Sequence, residues 1–527
     1  MSRTARLAVL SYGLVAAVYT WPLVLTPLST FPGQPGDADV HGFLWNNWWI
    51  AEALWSRHQS PLRTDMIFAP FGADLRLHTF GLLYGVLSSP VMPVLGAVGV
   101  LSMQLLLTPV LNGLAAYGLV TRLSGRRASG LVAGVLLAAT PAVNFHLTVG
   151  RASCAAVWPV LWAISALLDV LERPSKRSAA WFGVALLVLL LVDQQMALFG
   201  LLWLMVLGTD ALVRGRISRP ALRSLAMAAA VVVIPFLWLY AAPLTATGYT
   251  VPAASEAATY SYPPSLFWRP AMIWRAYGAM LPLAFLAATW QLRRDRALVV
   301  WWLGAALFLV LSLGPAAEVF ALLQHLPGFI QFRTPYRFQI PAAVGLVVMA
   351  GLMVSRAPRR TIAAVLLAAA VDLIAYRAVH GMSLQTMPAE PVYAQIAADP
   401  ADRLVLEVPV GVRTGTDRIG PGEVFTFYQP QHRKRLINGL VARGPLDALD
   451  YYRRSPALML LAHEPPPPGD VDADLRRQLK ALKVGYVVIH TDQMDSVWRE
   501  RVLDLFSDVG AERLETGRSG TVAFRLP

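Results

Sequence analysis

The chain has 527 residues, 56% of them hydrophobic and only 15% charged, where a soluble domain carries about 25% charged residues. Uncharged runs of 15 residues or more recur up to about residue 380 and leave no charged helix faces, which excludes a large soluble helical protein and defines a polytopic membrane protein. The net charge of +13 would suggest nucleic acid in a soluble chain, but here the basic residues fall in short loops between apolar runs, and no nucleic-acid partner is expected.

Those loops carry Arg3 and Arg6; Arg122, Arg126 and Arg127; Arg173, Lys176 and Arg177; Arg214, Arg216, Arg219 and Arg223; Arg293, Arg294 and Arg296; and Arg356, Arg359 and Arg360. Placed on the cytoplasmic side, they set the orientation. The first apolar run, 7–28, lacks an evident small-x-small cleavage site and reads as a retained helix rather than a signal peptide. Spans are predicted at about 7–27, 101–121, 128–144, 153–170, 178–192, 194–210, 222–243, 276–292, 297–314, 337–355 and 361–379. Residues 79–97 are also apolar, but a crossing there would put "TRLSGRR" outside, so they read as a non-spanning or re-entrant helix. The expected total is 11 to 13 transmembrane helices, with the N-terminus cytoplasmic, in a plasma (inner) membrane.

The membrane part, 1–380, then places outside the segments 28–78, 142–152, 244–275 and 315–336. From about 381 to 527 charged residues become frequent. The runs "RLVLEVPV" (403–410), "VGYVVIH" (484–490) and "TVAFRL" (521–526) read as strands, and 471–483 and 494–507 as helices. This tail is expected to be a small α/β domain outside the membrane, with "EPPPPG" (464–469) as a stiff loop. The single Cys154 excludes an internal disulfide.

The first outside segment holds Asp37 and Asp39. In an extended stretch that spacing points both carboxylates the same way. They could hold a divalent cation, or one could act as a base while the other positions it; a solvated loop is the plain alternative. The following "FLWNNWWIAEALW" has Trp45, Trp48, Trp49 and Trp55 at helical spacing. It reads as an amphipathic helix in the membrane interface, holding the acidic loop at headgroup depth. His146 and Arg151 lie in the second outside loop. Asp193 and Gln194 sit at the tip of a hairpin of two short runs, where a buried acid marks a polar cavity or a helix cap. In "GFIQFRTPYRFQIP", Arg333 and Arg337 flank Tyr336 at the outer start of a span, where guanidinium forks match a lipid phosphate or anchor the helix.

The ordered set of an N-in first helix, a DxD in the first outside loop, an interfacial helix and many further helices resembles the GT-C superfamily of membrane glycosyltransferases. The tail segments "LVLEVPVG", "FTFYQPQHRKRLINGLVAR" and "LKALKVGYVVIH" and the "FRTPYRF" segment are similar to those of large bacterial members. The resemblance covers most of the chain and implies inverting transfer from a polyprenyl-phosphate-linked sugar to a glycan, lipid or protein acceptor. It implies Asp37 as base, Asp39 as its support or a metal ligand, and Arg333 and Arg337 on the leaving phosphate, with Tyr336, His146, Arg151, Asp193 and Gln194 as further binding candidates. Some members need a divalent metal such as Mg or Mn and others do not. Two other readings stand beside it: a transporter or flippase of lipid-linked saccharide, against which the ionisable residues cluster at the outer ends of spans, and a non-catalytic envelope-assembly protein. The segment 428–440 is the tail's expected recognition surface.

Overall fold

The computed structural model describes residues 3–34, 37–241, 254–292, 295–326, 329, 332–387, 390–415, 417–507, 511–517 and 520–527. Each apolar run predicted to span coincides with a helix. In chain order these are Arg3–Tyr19, Met92–Ser124, Arg127–Ala139, Trp158–Glu172, Lys176–Val192, Gln194–Val213, Arg219–Phe236, Met280–Gln291, Val299–Leu311, Gln339–Met353 and Arg359–Val379. Residues 242–243 of one expected span, 244–253 of the third outside segment and Arg293 and Arg294 lie outside the described residues. So do 327, 328, 330 and 331 of the fourth segment.

The protein is a multi-pass membrane protein, although its helices are uneven in length. Among the described residues, five are long and apolar enough to cross, or up to seven if each of two bent pairs counts as one span. The remaining expected spans are shorter or broken; Val299–Leu311 has 13 residues, a rise of about 20 Å against a hydrocarbon core of about 30 Å. Residues 79–97 are helical only in pieces: Leu82–Ser88 has seven residues, and Gly96 breaks the stretch after it with φ 65° and ψ 176°. The long helices pack through small residues. A methyl group at Gly113 would stand 2.7 Å from the Tyr12 ring, so glycine lets the first helix lie directly on Met92–Ser124.

Outside the helices, the tail has a four-stranded sheet in the order Glu512–Leu514, Thr521–Arg525, Val484–His490, Leu404–Val408. The first three strands are antiparallel and the last pair is parallel. The three predicted strands and both predicted helices of the tail are present, the helices as Val471–Ala481 and Ser496–Ser507. A second sheet joins Arg418–Ile419, Val412–Arg413 and Gly439–Leu440.

The segment 28–78 and the tail share one core. Thr30–Pro32 pairs antiparallel with Leu384–Thr386. Met66 O accepts from Leu436 N at 2.8 Å, and Ala69 N donates to Leu436 O at 3.1 Å. Leu62, Met66, Ile67 and Phe68 pack with Leu406, Val408, Ile437 and Tyr452.

Two expectations change here. The tryptophan helix, Ala38–Ala51, does not lie exposed in an interface along its length: Trp45, Trp48 and Trp49 are buried, with Trp45 and Trp49 stacked at 6.0 Å, and only Trp55, in the turn Glu52–Ser56 that follows, is exposed. The Trp45 indole donates to Gln429 Oε1 at 2.6 Å. Tryptophan suits a protein core and a bilayer boundary equally, because its large apolar face carries one polar N–H; here the tail supplies the acceptor. For the same reason 428–440 is not a free surface. Tyr428, Gln429, His432, Leu436, Ile437 and Asn438 are buried in the seam, and Gln429 Nε2 donates to Met66 O at 2.7 Å.

Candidate active site

Asp37 and Asp39 sit where the tryptophan helix begins. They do not project in parallel from an extended strand. Asp37 is the N-cap, in extended conformation, and its Oδ1 accepts from Asp39 N at 3.3 Å, while Asp39 lies in the first turn. The cap satisfies a backbone N–H that the helix itself leaves open. Asp39 Oδ2 is ion-paired with Arg151. That contact depends on the turn before Arg151: Gly150 has φ +74°, and a methyl group there would collide with Val40 of the tryptophan helix. Only glycine both adopts this conformation readily and lets the turn come so close.

The turn also positions His146, whose carbonyl accepts from Arg151 N at 2.8 Å. The His146 side chain is buried, and its Nδ1 has no hydrogen-bond partner among the described residues. Arg337 reaches the same space from the other side. Its Nη1 donates to Gln195 Oε1 at 2.5 Å and its Nε to Tyr336 Oη at 3.3 Å. Arg333 has other partners, donating to Glu256 Oε1 at 2.6 Å with its guanidinium over the Tyr260 ring.

Asp193 is both a cap and a buried acid. Its Oδ1 accepts from Gln195 N at 2.8 Å and Met196 N at 3.2 Å, and its Oδ2 faces Cys154 Sγ at 3.7 Å. Gln194 turns outward from this cluster and donates to Arg76 O at 2.6 Å, tying the hairpin tip to the segment that follows the tryptophan helix. Gln195, rather than Gln194, is therefore the glutamine that meets an arginine of the site.

The tail adds residues that no local pattern marked. Arg413 acts electrostatically on both Asp37 and Asp39, and Arg443 lies beside Arg333. Burial is the main influence on Asp37 and raises its pKa above the ordinary value; the charge of Asp39 adds to the rise, and Arg151 and Arg413 offset part of it. Burial also works against the charge of Asp39. There the arginines win: Arg151 first, then Arg413, Arg337 and Arg333, and the pKa falls below the ordinary value. The two carboxyls thus diverge, one held as an anion and the other inclined to take a proton.

These donors fit a divalent metal poorly. Asp39 is committed to Arg151, and the guanidiniums of Arg151 and Arg413 act on both carboxylates. Among the described residues no three His, Cys, Asp or Glu side chains group closely enough to hold an ion.

No protein-family model and no curated protein sequence matches the chain. Solved structures do match, across essentially all of it. The arabinofuranosyltransferase AftD from Mycobacteria matches with a TM-score of 0.58 and 15% identity over 100% of this chain and 40% of that one. The Archaeoglobus fulgidus oligosaccharyltransferase matches at 0.50 and 13%, over 98% of this chain and 74% of that one. ArnT from Cupriavidus metallidurans, bound to undecaprenyl phosphate, matches at 0.51 and 12%, over 99% of this chain and 98% of that one. The chain thus has the fold of the GT-C membrane glycosyltransferases. It spans 40% of the length of the arabinofuranosyltransferase and nearly the full length of ArnT.

Proposed function

We propose that the protein is an inverting membrane glycosyltransferase that moves a sugar from a polyprenyl-phosphate donor to an acceptor on the outer face of the plasma membrane. On this reading the chain crosses the membrane eleven times or more, with its N-terminus cytoplasmic and its tail outside. The observation that carries the reading is the pairing of unlike acids within a GT-C fold. Asp37 has a raised pKa and sits two residues from an Asp39 that Arg151 keeps charged.

In the proposed reaction, Asp37 accepts the proton of the acceptor hydroxyl. The freed oxygen attacks the anomeric carbon of the donor, the bond from that carbon to the phosphate oxygen breaks, and polyprenyl phosphate departs with the electron pair. Arg333 and Arg337 neutralise the charge that grows on the phosphate, an effect strongest where donors are fixed before the reaction begins. Arg337 is so fixed by Gln195 and Tyr336. On this reading Arg151 keeps Asp39 charged beside the base, and His146 joins the site through the turn that ends at Arg151. The poor fit of the carboxylates to a metal supports transfer without one.

The direct test supplies purified full-length protein with a radiolabelled polyprenyl-phosphate sugar and an extract of cell-envelope acceptors, with and without chelator. Transfer that survives chelator and disappears in Asp37→Asn supports the reading. Transfer at the normal rate in Asp37→Asn sinks the role of the base.

A further inference from the structure

One of the two bent helix pairs is held at its corner by an acid. Pro270–Tyr277 and Met280–Gln291 are joined by a bend of 104°, so the first runs across the axis of the second. Gly278, with φ +67°, makes the corner, and a methyl group there would collide with the Asp372 carboxylate. Asp372 belongs to Arg359–Val379, a helix long and apolar enough to cross a membrane. Its Oδ1 accepts from Trp274 Nε1 at 2.7 Å and its Oδ2 from Ala279 N at 2.7 Å. Both partners are neutral, and among the described residues no cation is ion-paired with it. A carboxylate on a membrane helix is costly without a counter-charge, and two N–H bonds leave about half of its lone-pair positions open.

The corner and the end of the helix Arg127–Ala139 enclose a recess of about 310 Å³ against Asp372. Leu136, Leu281 and Leu373 line it beside Thr140, Tyr277 and Asp372. Thr140 gives its hydroxyl hydrogen to Leu136 O at 2.6 Å and has only lone pairs left. The Tyr277 hydroxyl is buried and has no partner among the described residues, a state that calls for a ligand or water. All three polar groups can accept. Their complement is a group that only donates and is positively charged. A protonated amine, with three N–H bonds and no lone pair, is such a group.

The setting points to the source of the amine. Beside the recess, Leu283 and Leu286 on one helix and Val371 and Ile374 on the other are exposed, a surface that acyl chains cover in a bilayer. Met280–Gln291 begins at the corner while Pro270–Tyr277 runs across it, so Asp372, bonded to Ala279, is level with the end of a span, where lipid headgroups lie.

We infer that the recess binds the ammonium headgroup of an aminophospholipid, with Asp372, Tyr277 and Thr140 accepting from the nitrogen and the acyl chains against the apolar surface outside. The lipid supplies the counter-charge that Asp372 lacks and braces the corner.

The test measures binding of radiolabelled lyso-phosphatidylethanolamine to the purified full chain in a nonionic detergent, in competition with lyso-phosphatidylglycerol and with free ethanolamine. Both competitors are expected to displace it poorly. Asp372→Asn should weaken binding about tenfold or more, the loss of one charge-assisted contact, and erase the preference over lyso-phosphatidylglycerol. Tyr277→Phe keeps the ring and removes only the unpartnered hydroxyl. It should weaken binding about threefold or more with the midpoint of thermal unfolding unchanged in the absence of lipid, and it carries the test if Asp372→Asn loses its fold. Unchanged affinity in every variant that folds overturns the site, as does displacement by lyso-phosphatidylglycerol as strong as by unlabelled lyso-phosphatidylethanolamine, or an unaltered protein that binds no lyso-phosphatidylethanolamine. Displacement by ethanolamine as strong as by the unlabelled lipid supports the ammonium contact and overturns the lipid as its source.

Discussion

The acidic ledge at 37–39 and the arginine segment at 333–337 present the same problem with opposite sign. Each places two like charges within a few residues at the start of a helix, and each separates them by giving them different partners. On the ledge, Asp39 is neutralised by Arg151 while Asp37 keeps a raised pKa. In the arginine segment, Arg333 is drawn to Glu256 while Arg337 is held by Gln195 and Tyr336. The lesson is that charges paired in sequence need not share partners in space. The neighbours recruited from elsewhere in the chain assign the roles.

The largest expected effect breaks the ledge. Asp37→Asn keeps the cap and removes the base, so transfer should fall about 10²–10⁴-fold with donor binding and protein abundance nearly unchanged; equal losses in Asp37→Asn and in a surface control would end the distinction between the two acids. The next test is on the arginine side. Arg337→Gln removes a charge that opposes the leaving phosphate, and kcat should drop about 10–100-fold, with Arg337→Lys recovering only part because the fork to Gln195 and Tyr336 is lost. An unchanged kcat would return Arg337 to an anchoring role.

The pH profile sharpens the comparison further. Asp37 must be ionised to accept a proton, and its pKa is raised, so kcat/KM should fall as pH drops through a value above that of an ordinary aspartate. Asp39 stays charged throughout that window because its pKa is lowered. The acid limb should vanish from the residual activity of Asp37→Asn; a limb that persists there belongs to another group. The smallest effect concerns the ledge's support. Trp45→Phe deletes the hydrogen bond to Gln429 and should cost about 1–3 kcal/mol of stability because it leaves a buried acceptor unpaired, read as a lower midpoint of thermal unfolding without a change in the pH profile.

Much of the fold was legible because its signals are local. Charge-free runs mark the helices from Arg3–Tyr19 to Arg359–Val379, and β-branched runs mark Leu404–Val408 and Val484–His490. Asp37, Asp39, Arg151 and Arg337 could be singled out because charged residues are conspicuous beside apolar spans, and the structure brings them together. The tryptophan helix was misjudged because burial depends on what arrives to cover it, and the cover comes from the helices that follow and from the tail. Glu256, Arg413 and Arg443 carry no local sign of their place. Each is an ordinary charged residue until the long-range fold sets it beside the ledge or Arg333.

The hydrogen bond from Trp45 to Gln429 joins residues 384 positions apart, and this has a consequence for biogenesis. At about 5–20 residues per second a ribosome needs roughly 20–80 s to make the intervening chain. Throughout that interval the indoles of Trp45 and Trp49 and the apolar loop 62–75 have no tail to cover them. A nascent chain halted before residue 404 would keep that surface bare, a natural target for chaperones and quality-control proteases.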